Sequence, residues 1–460
     1  MRIKMSARDR LFIAAVCLGF IIVQLDVSIV NVGLEALRQA YNAKIADLEW
    51  VINTYSLFFA ALLLSSARLG ERFGVRKIFI TGVTIFIVAS VGCALAPSLL
   101  TLNIFRGIQG TGAALLVPAS LTLIKLYFSD STARTYAVGM WAASGGFSLA
   151  AGPIMGGTLI KLLGWKSIFL INVPVGILCI IIARRFAPES IHSKQRFNIS
   201  GQLLIALTLG MLTFSLTEAG RYGFMSTVSL VPLAVGFLSL IVFVLSERRA
   251  VIPVLAPSVL KNVTIVNALL IGFICNLVFY GSVFILSIFF QSEMKLDPFQ
   301  TGFAFLPMML FTAMVNFSCG WLTRYFNIKT LVVTGALMSF TGFGLLLFVK
   351  SDWTLWQLFI PTMLLGGGTC LGTPVMATLI LSEARDEDAG SASALFACAR
   401  QVGGVTGVAL FGMLINRVGT GDLLTGLKVV AGAAMIMVLL WMYTGSMRLL
   451  KTSLKSEEVP

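Results

Sequence analysis

Long apolar stretches recur along the whole chain, each about as long as a membrane-crossing helix and each ended by a short charged or Pro/Gly-rich segment. A spanning helix needs about 20 mostly apolar residues. Fourteen stretches meet that requirement: residues 11–34, 48–67, 78–96, 99–124, 135–160 and 165–183, then 200–217 and 227–246, then 263–287, 299–320, 330–349, 354–381, 390–416 and 426–447. The pattern predicts an all-α membrane protein with fourteen transmembrane helices. The first stretch is too long for a signal-peptide core, lacks a cleavage site and carries an acid, so it reads as the first membrane helix.

Composition agrees with the pattern. Of 460 residues, 57% are hydrophobic and 12% charged, with mean hydropathy +0.93, whereas soluble domains are about a quarter charged. The net charge of +14 would suggest nucleic acid in a soluble protein. Here the charges lie in short loops between apolar runs, which favours membrane lipid and excludes nucleic acid as a partner. With the N-terminus inside, the cytoplasmic segments hold 23 Lys and Arg and the outer loops 9, while Arg106 and Arg400 lie within spans. The positive-inside rule then predicts a multi-pass protein of the cytoplasmic (inner) membrane with both termini cytoplasmic.

Metal and nucleotide chemistry find no support. All seven cysteines lie in apolar runs without paired spacing, and the single histidine, His192, falls in a polar linker. Disulfides, zinc sites and a histidine relay are therefore not expected. No GxxxxGK[ST] loop occurs, so the chain is not expected to be an ATPase. No span carries a catalytic constellation either, and no enzyme is predicted.

The chain also repeats itself. Residues 106–124 read RGIQGTGAALLVPASLTLI and residues 362–380 read TMLLGGGTCLGTPVMATLI. Without gaps, Gly110 matches Gly366, Gly112 matches Gly368, Pro118 matches Pro374, and Thr122 to Ile124 match Thr378 to Ile380. Gly145–Gly146 and Gly403–Gly404 correspond in the next helix of each half. Many transporters are built from two related helix bundles. The expected organisation is an N-terminal six-helix bundle at 1–183, linkers and two additional helices at 184–262, and a C-terminal six-helix bundle with a tail at 263–460.

An ionisable group inside a span is costly and is a functional candidate by default. Asp26 is the only acid well inside any span. It lies near the outer end of helix 1 and Arg106 near the outer end of helix 4, both roughly 10 to 12 Å below the boundary at 1.5 Å per residue. The two could meet at one depth. Desolvation and a nearby arginine act in opposite directions on a carboxyl group's affinity for protons. Asp26 is therefore a candidate protonation site with Arg106 as its electrostatic partner, and a static ion pair that fixes helices 1 and 4 is the alternative. Arg400 faces either a cavity or, by snorkelling, the cytoplasmic surface. Glu383, Asp386, Glu387 and Asp388 form an acidic loop that reads as a solvated face or as partners for basic loops.

Several strings resemble the major facilitator superfamily, specifically its fourteen-helix drug:proton antiporter branch, over nearly the whole chain. SGGFSLAAGPIMGGTL (144–159) resembles the antiporter motif, with Gly145, Gly152, Pro153, Gly156 and Gly157. Its small residues permit close helix approach. GWKSIFLINVPVG (164–176), LDVSIVNVGL (25–34) and NIFRGIQGTGAAL (103–115) resemble further branch signatures. ARLGERFGVRK (67–77) resembles the cytoplasmic gating loop, with Gly70, Glu71, Arg72, Gly74, Arg76 and Lys77; Ala67 and Glu71 depart from the usual glycine and aspartate. GWLTRYFNIKT (320–330) is a worn copy without an acid.

The resemblance implies a monomeric, proton-coupled exporter of hydrophobic or cationic drug-like compounds working by alternating access, with the proton as coupling ion and no other cofactor. Helices 1, 2, 4 and 5 and their counterparts 9, 10, 12 and 13 line the cavity in that family. On that ground Asn31, Tyr55, Gln109, Trp141, Asn276, Tyr280 and Arg400 are candidate substrate contacts. Two other readings stay open: a dedicated exporter of one antibiotic or metabolite, and a membrane scaffold or sensor that does not transport.

Overall fold

The computed structural model describes residues 5–189, 198–250, 257–385, 388–418 and 423–445; His192, Asp386 and Glu387 lie outside them. Among the described residues the regular structure is helical. The long helices are α1 (Ala7–Tyr41), α2 (Ile45–Phe73), α3 (Val75–Leu95), α4 (Leu99–Tyr127), α5 (Ser131–Leu163) and α6 (Ser167–Phe186). After these come α7 (Ile199–Tyr222) and α8 (Thr227–Arg249). The last six are α9 (Val263–Glu293), α10 (Pro298–Tyr325), α11 (Ile328–Leu346), α12 (Leu355–Glu383), α13 (Ala389–Val418) and α14 (Leu423–Tyr443). Thirteen are long and apolar enough to cross a membrane, and α2 contains the remaining apolar stretch, 48–67.

Polar side chains set the helix ends, since terminal amides need partners. Ser6 and Asp9 form a reciprocal capping box at the start of α1. Asp130 caps α5 through the Ala133 amide at 2.7 Å, and Asn327 caps α11 through Thr330 at 2.8 Å. Helix α1 continues past residue 34 to Tyr41, because Arg38 forks onto Glu35 at 2.7 Å twice and Asn42 closes the helix in the left-handed conformation at φ 49°. At the other end of α2, the expected loop at 67–77 is almost entirely helical. Only Gly74, at φ 93°, separates α2 from α3, and its amide donates to the Gly70 carbonyl at 2.9 Å.

The chain forms two compact units, one of residues 1–202 with 297–302, the other of residues 203–296 with 303–460. In the first, α1 packs on α5 and α6, and α4 packs on α2 and α3. In the second, α9 packs on α13 and α12, and α11 packs on α12 and α14. The repeated glycines explain the matching pairs. A side-chain carbon on Gly110 would overlap the Tyr55 carbonyl of α2, and one on Gly366 would meet Met308 of α10 at 2.7 Å. Gly112 abuts Gly82 and Phe86 of α3, while Gly368 abuts Gly335 and Ser339 of α11. Thr122 and Thr378 each donate to the carbonyl of the repeat's proline, Pro118 and Pro374, at 3.0 Å. Close backbone approach through small residues is how membrane helices gain packing without a hydrophobic driving force between them.

Helices α7 and α8 form a hairpin in the second unit, where Gly236 meets Leu212 and Ser215 donates to the Ser229 carbonyl at 2.8 Å. The apolar side chains of α8, including Val231, Leu238, Ile241 and Leu245, are largely exposed. Such a surface suits hydrocarbon rather than water.

Candidate functional site

Five helices of the first unit converge on Asp26, whose side chain is fully buried. Arg106 of α4 donates from Nη1 to Asp26 Oδ2 at 2.6 Å and to Gln109 Oε1 at 2.7 Å, and from Nε to the Val51 carbonyl of α2 at 2.9 Å. Gln109, one turn on, donates from Nε2 to Asp26 Oδ1 at 2.8 Å and to Ser90 Oγ of α3 at 2.9 Å. Asn172 of α6 lies at 3.4 Å from Asp26 Oδ1 and 3.3 Å from Ser90 Oγ. The Tyr55 ring lies against the guanidinium, its centroid 4.4 Å away, with Phe169 at 6.0 Å.

This arrangement makes burial of two charges tolerable. A lone buried ion costs several kcal/mol, and a pair recovers that only where its remaining hydrogen-bonding capacity is also satisfied. Here both carboxylate oxygens accept bonds and the guanidinium reaches three acceptors. The local reason for meeting at all is α4's register: Arg106 and Gln109, three residues apart, share a face, and Gly110 lets α2 come close enough for Val51 and Tyr55 to reach Arg106. Chemically, the cluster is a carboxyl group poised between helices, where gain of a proton would alter bonds to α4 and α6 at once, with Ser90 of α3 linked to it through Gln109 and Asn172.

Of the candidate residues, Asp26, Arg106, Gln109 and Tyr55 come together. Gln109 is engaged inside the ion-pair network. Asn31 is buried and donates to the Val27 carbonyl at 2.7 Å. Trp141 is stacked on Phe20 with ring centroids 3.8 Å apart and is fixed by its Nε1 to Ser120 Oγ at 2.9 Å. No pattern in the sequence marks Ser90, Asn172 or Phe169 as site residues. Asn172 and Phe169 lie in the quoted 164–176 string, but only contact with α1, α3 and α4 gives them significance.

The antiporter string forms a close-contact face within the first unit. Gly152 abuts Ser28 and Gly156 abuts Ile29 of α1. Gly157 abuts Pro298 and Phe299, and the Pro153 carbonyl abuts Gly302, all in the part of α10 that belongs to this unit. Gly145 packs on the Phe20 ring. Just beyond the string, Lys161 pairs with Asp297 at 3.3 Å. The Gln300 backbone amide, and after it Lys161, hold the Asp297 carboxyl below the usual carboxylate range.

At the junction of α2 and α3, Arg76 donates to the Ala187 carbonyl at 3.2 Å and pairs with Glu189, an acid after α6 that the sequence did not single out. Arg72 lies by the Phe73 ring at 5.2 Å and Lys77 is exposed. The side chain of Glu71 lies outside the described ones.

In the second unit, Asn276 donates to the Gly272 carbonyl at 3.0 Å. Arg400 is half-buried, 5.8 Å from the Phe396 ring, and its buried Nε has no partner among the described residues. Tyr280 packs over Gly404, one turn along α13 from Arg400. Glu383 accepts from Asn262 at 3.4 Å.

Fourteen membrane helices, a duplicated scaffold and a neutralised ion pair sealed between helices define a polytopic transport protein. The chain belongs to the Major Facilitator Superfamily, whose profile matches residues 16–408. It is 35% identical over 400 residues to the Methylenomycin A resistance protein of Bacillus subtilis, covering 87% of this chain and 86% of the relative. It is 30% identical over 414 residues to the Multidrug resistance protein Stp of Mycobacterium tuberculosis, covering 89% and 76%. With the Cephamycin export protein CmcT of Amycolatopsis lactamdurans it shares 31% identity over 415 residues, covering 88% and 84%. The crystal structure of an auto inhibited POT family peptide transporter matches with TM-score 0.71 at 12% identity, over 96% of this chain and 97% of that one, a likeness of fold. The chain is thus a drug-efflux transporter of the superfamily and not an enzyme, with the fourteen-helix form of two six-helix bundles plus two central helices.

Proposed function

We propose that this protein is a proton-coupled antiporter that exports hydrophobic or cationic drug-like compounds across the cytoplasmic membrane by alternating access, as a monomer with both termini cytoplasmic. The observation that carries the reading is Asp26: a fully buried carboxylate held by Arg106 at 2.6 Å and Gln109 at 2.8 Å. On protonation Asp26 loses its charge and its hold on Arg106, which keeps Gln109 Oε1 and the Val51 carbonyl. The tie of α1 to α4 is then weakened to the Gln109 Nε2 bond onto Asp26, and α1 is the helix against which Gly152 and Gly156 of the antiporter string pack. A proton arriving from one side and a substrate leaving from it thereby act on the same contact. Substrate contacts are assigned to Asn31, Tyr55, Trp141, Asn276, Tyr280 and Arg400. Gln109 is assigned to both jobs.

A second reading, a dedicated exporter of one antibiotic, draws support from relatives named for single compounds, methylenomycin A and cephamycin. Proteoliposomes with an imposed pH gradient, screened with cationic dyes, antiseptics and antibiotics, separate the two. Flux of several unrelated compounds supports the broad exporter, and flux of one alone supports the dedicated one. Asp26→Asn is expected to abolish gradient-driven accumulation; full coupling in that variant sinks the proton role given to Asp26.

A further inference from the structure

We propose that the groove between the start of α3 and the end of α6 holds an anionic phospholipid. The groove has a volume of about 590 Å³ and is lined by Phe73, Arg76, Lys77, Ile80, Thr84 and Arg184, among others. Its rim carries three cations against one acid, Glu189. Arg76 is fixed there by the Ala187 carbonyl and by Glu189. Lys77 and Arg184 have no carboxylate within salt-bridge distance among the described residues. Among the described residues, two cations without a carboxylate partner thus converge at one mouth, on the side that the charge asymmetry assigns to the cytoplasm.

Below the rim the wall turns apolar. Ile80, Thr81, Thr84 and Ile85 follow one another along α3, and Thr84 donates its hydroxyl to the Ile80 carbonyl at 2.8 Å, so that this hydroxyl is satisfied within the helix. The same side of α3 continues to Val88, which is 61% exposed. From Lys77 to Val88 the helix rises about 16 Å at 1.5 Å per residue, close to the depth of one leaflet of a hydrocarbon core about 30 Å thick. A cationic mouth over an apolar wall one leaflet deep matches a phosphate headgroup over an acyl chain, as basic pockets between membrane helices do for anionic lipids. A zwitterionic lipid fits less well, because its own amine already neutralises the phosphate.

The test uses the full-length protein in nanodiscs of phosphatidylglycerol and phosphatidylcholine, with lipid retained after transfer to mild detergent counted by native mass spectrometry. Phosphatidylglycerol should be retained at least about tenfold over phosphatidylcholine. Combined Arg76→Gln, Lys77→Gln and Arg184→Gln should remove that preference. Arg248→Gln with Arg249→Gln, which removes two cations at the end of α8, should leave it intact. Thr84→Trp, which keeps every charge and fills the wall, should also reduce retention, so the outcome does not depend on the triple variant folding. Equal retention of both lipids, or retention unchanged in Thr84→Trp, overturns the proposal. Displacement by inorganic phosphate or glycerophosphoglycerol at concentrations that match the lipid also overturns it, since the site would then read the headgroup alone.

Discussion

Arg106 Nη1 lies 2.6 Å from Asp26 Oδ2 with both side chains shut away from solvent. Removing one partner of such a pair leaves the other charge buried and uncompensated, which costs about 3–5 kcal/mol. Arg106→Ala is therefore expected to lower thermal stability sharply. The combined Asp26→Asn, Arg106→Gln variant, which removes both charges and keeps hydrogen-bonding groups, should recover part of the loss. Thermal unfolding in detergent reads this, and a double variant less stable than Arg106→Ala would contradict it.

Charge alone is not what Arg106 supplies. Its Nε reaches the Val51 carbonyl while Nη1 reaches Asp26 and Gln109, a planar spread that a lysine ammonium cannot reproduce. Arg106→Lys should retain more stability than Arg106→Ala yet transport at least about tenfold more slowly under a pH gradient. Wild-type flux in Arg106→Lys would reduce the role of Arg106 to its charge.

Glycines in the repeat differ in consequence, and the difference is measurable. A side-chain carbon at Gly110 runs into the Tyr55 carbonyl, which is backbone and cannot swing away, whereas nothing lies within 4 Å of one at Gly146. Gly110→Ala should destabilise by about 1–3 kcal/mol, the usual range for overpacking, and Gly146→Ala should not. Thermal shift measurements on the two single variants are sufficient.

Asp297 offers a pH dependence outside the spans. Its carboxyl is held below the ordinary value by the Gln300 amide and Lys161. A depressed folded-state value means that its stabilising contribution is present above the unfolded value and disappears as pH falls through the folded one. Between pH 6 and 8 this group should add no slope to stability. Both partners are partly exposed, so Asp297→Asn should cost about 1 kcal/mol or less, with the difference from wild type shrinking below pH 4 and in high salt. A difference that grows on acidification would contradict the assignment.

The sequence disclosed what spans a membrane's thickness or breaks its chemistry. Apolar run length predicted the helices, and the buried acid and arginine stood out because ionised groups are rare at that depth. The glycine and proline matches were visible because the same close approaches are made twice. Less legible was anything settled by a neutral partner from elsewhere in the chain. Ser90 and Asn172 are unremarkable polar residues in apolar runs until 82 positions of separation close to 3.3 Å. The α2–α3 junction read as a loop because its charges end the apolar signal, although charged residues continue a helix readily and only Gly74 interrupts it. Glu189 is hidden for a similar reason, since it lies in an ordinary polar linker and only the fold brings it to Arg76.

Arg400 presents the opposite case to Arg106. Among the described residues its buried Nε has no partner and no carboxylate pairs with it, and its aromatic neighbour Phe396 lies 5.8 Å away. An unpaired guanidinium detracts from stability, and replacement of buried charge by an apolar side chain of similar volume is often neutral or stabilising. Arg400→Met should therefore unfold at the same temperature as wild type or higher. If Arg400 touches substrate, the same variant should lose transport of some compounds while keeping proton-dependent transport of others, because Asp26 and Arg106 in the other unit are untouched. Lower stability together with uniform loss of all transport would instead assign Arg400 to holding the second unit together.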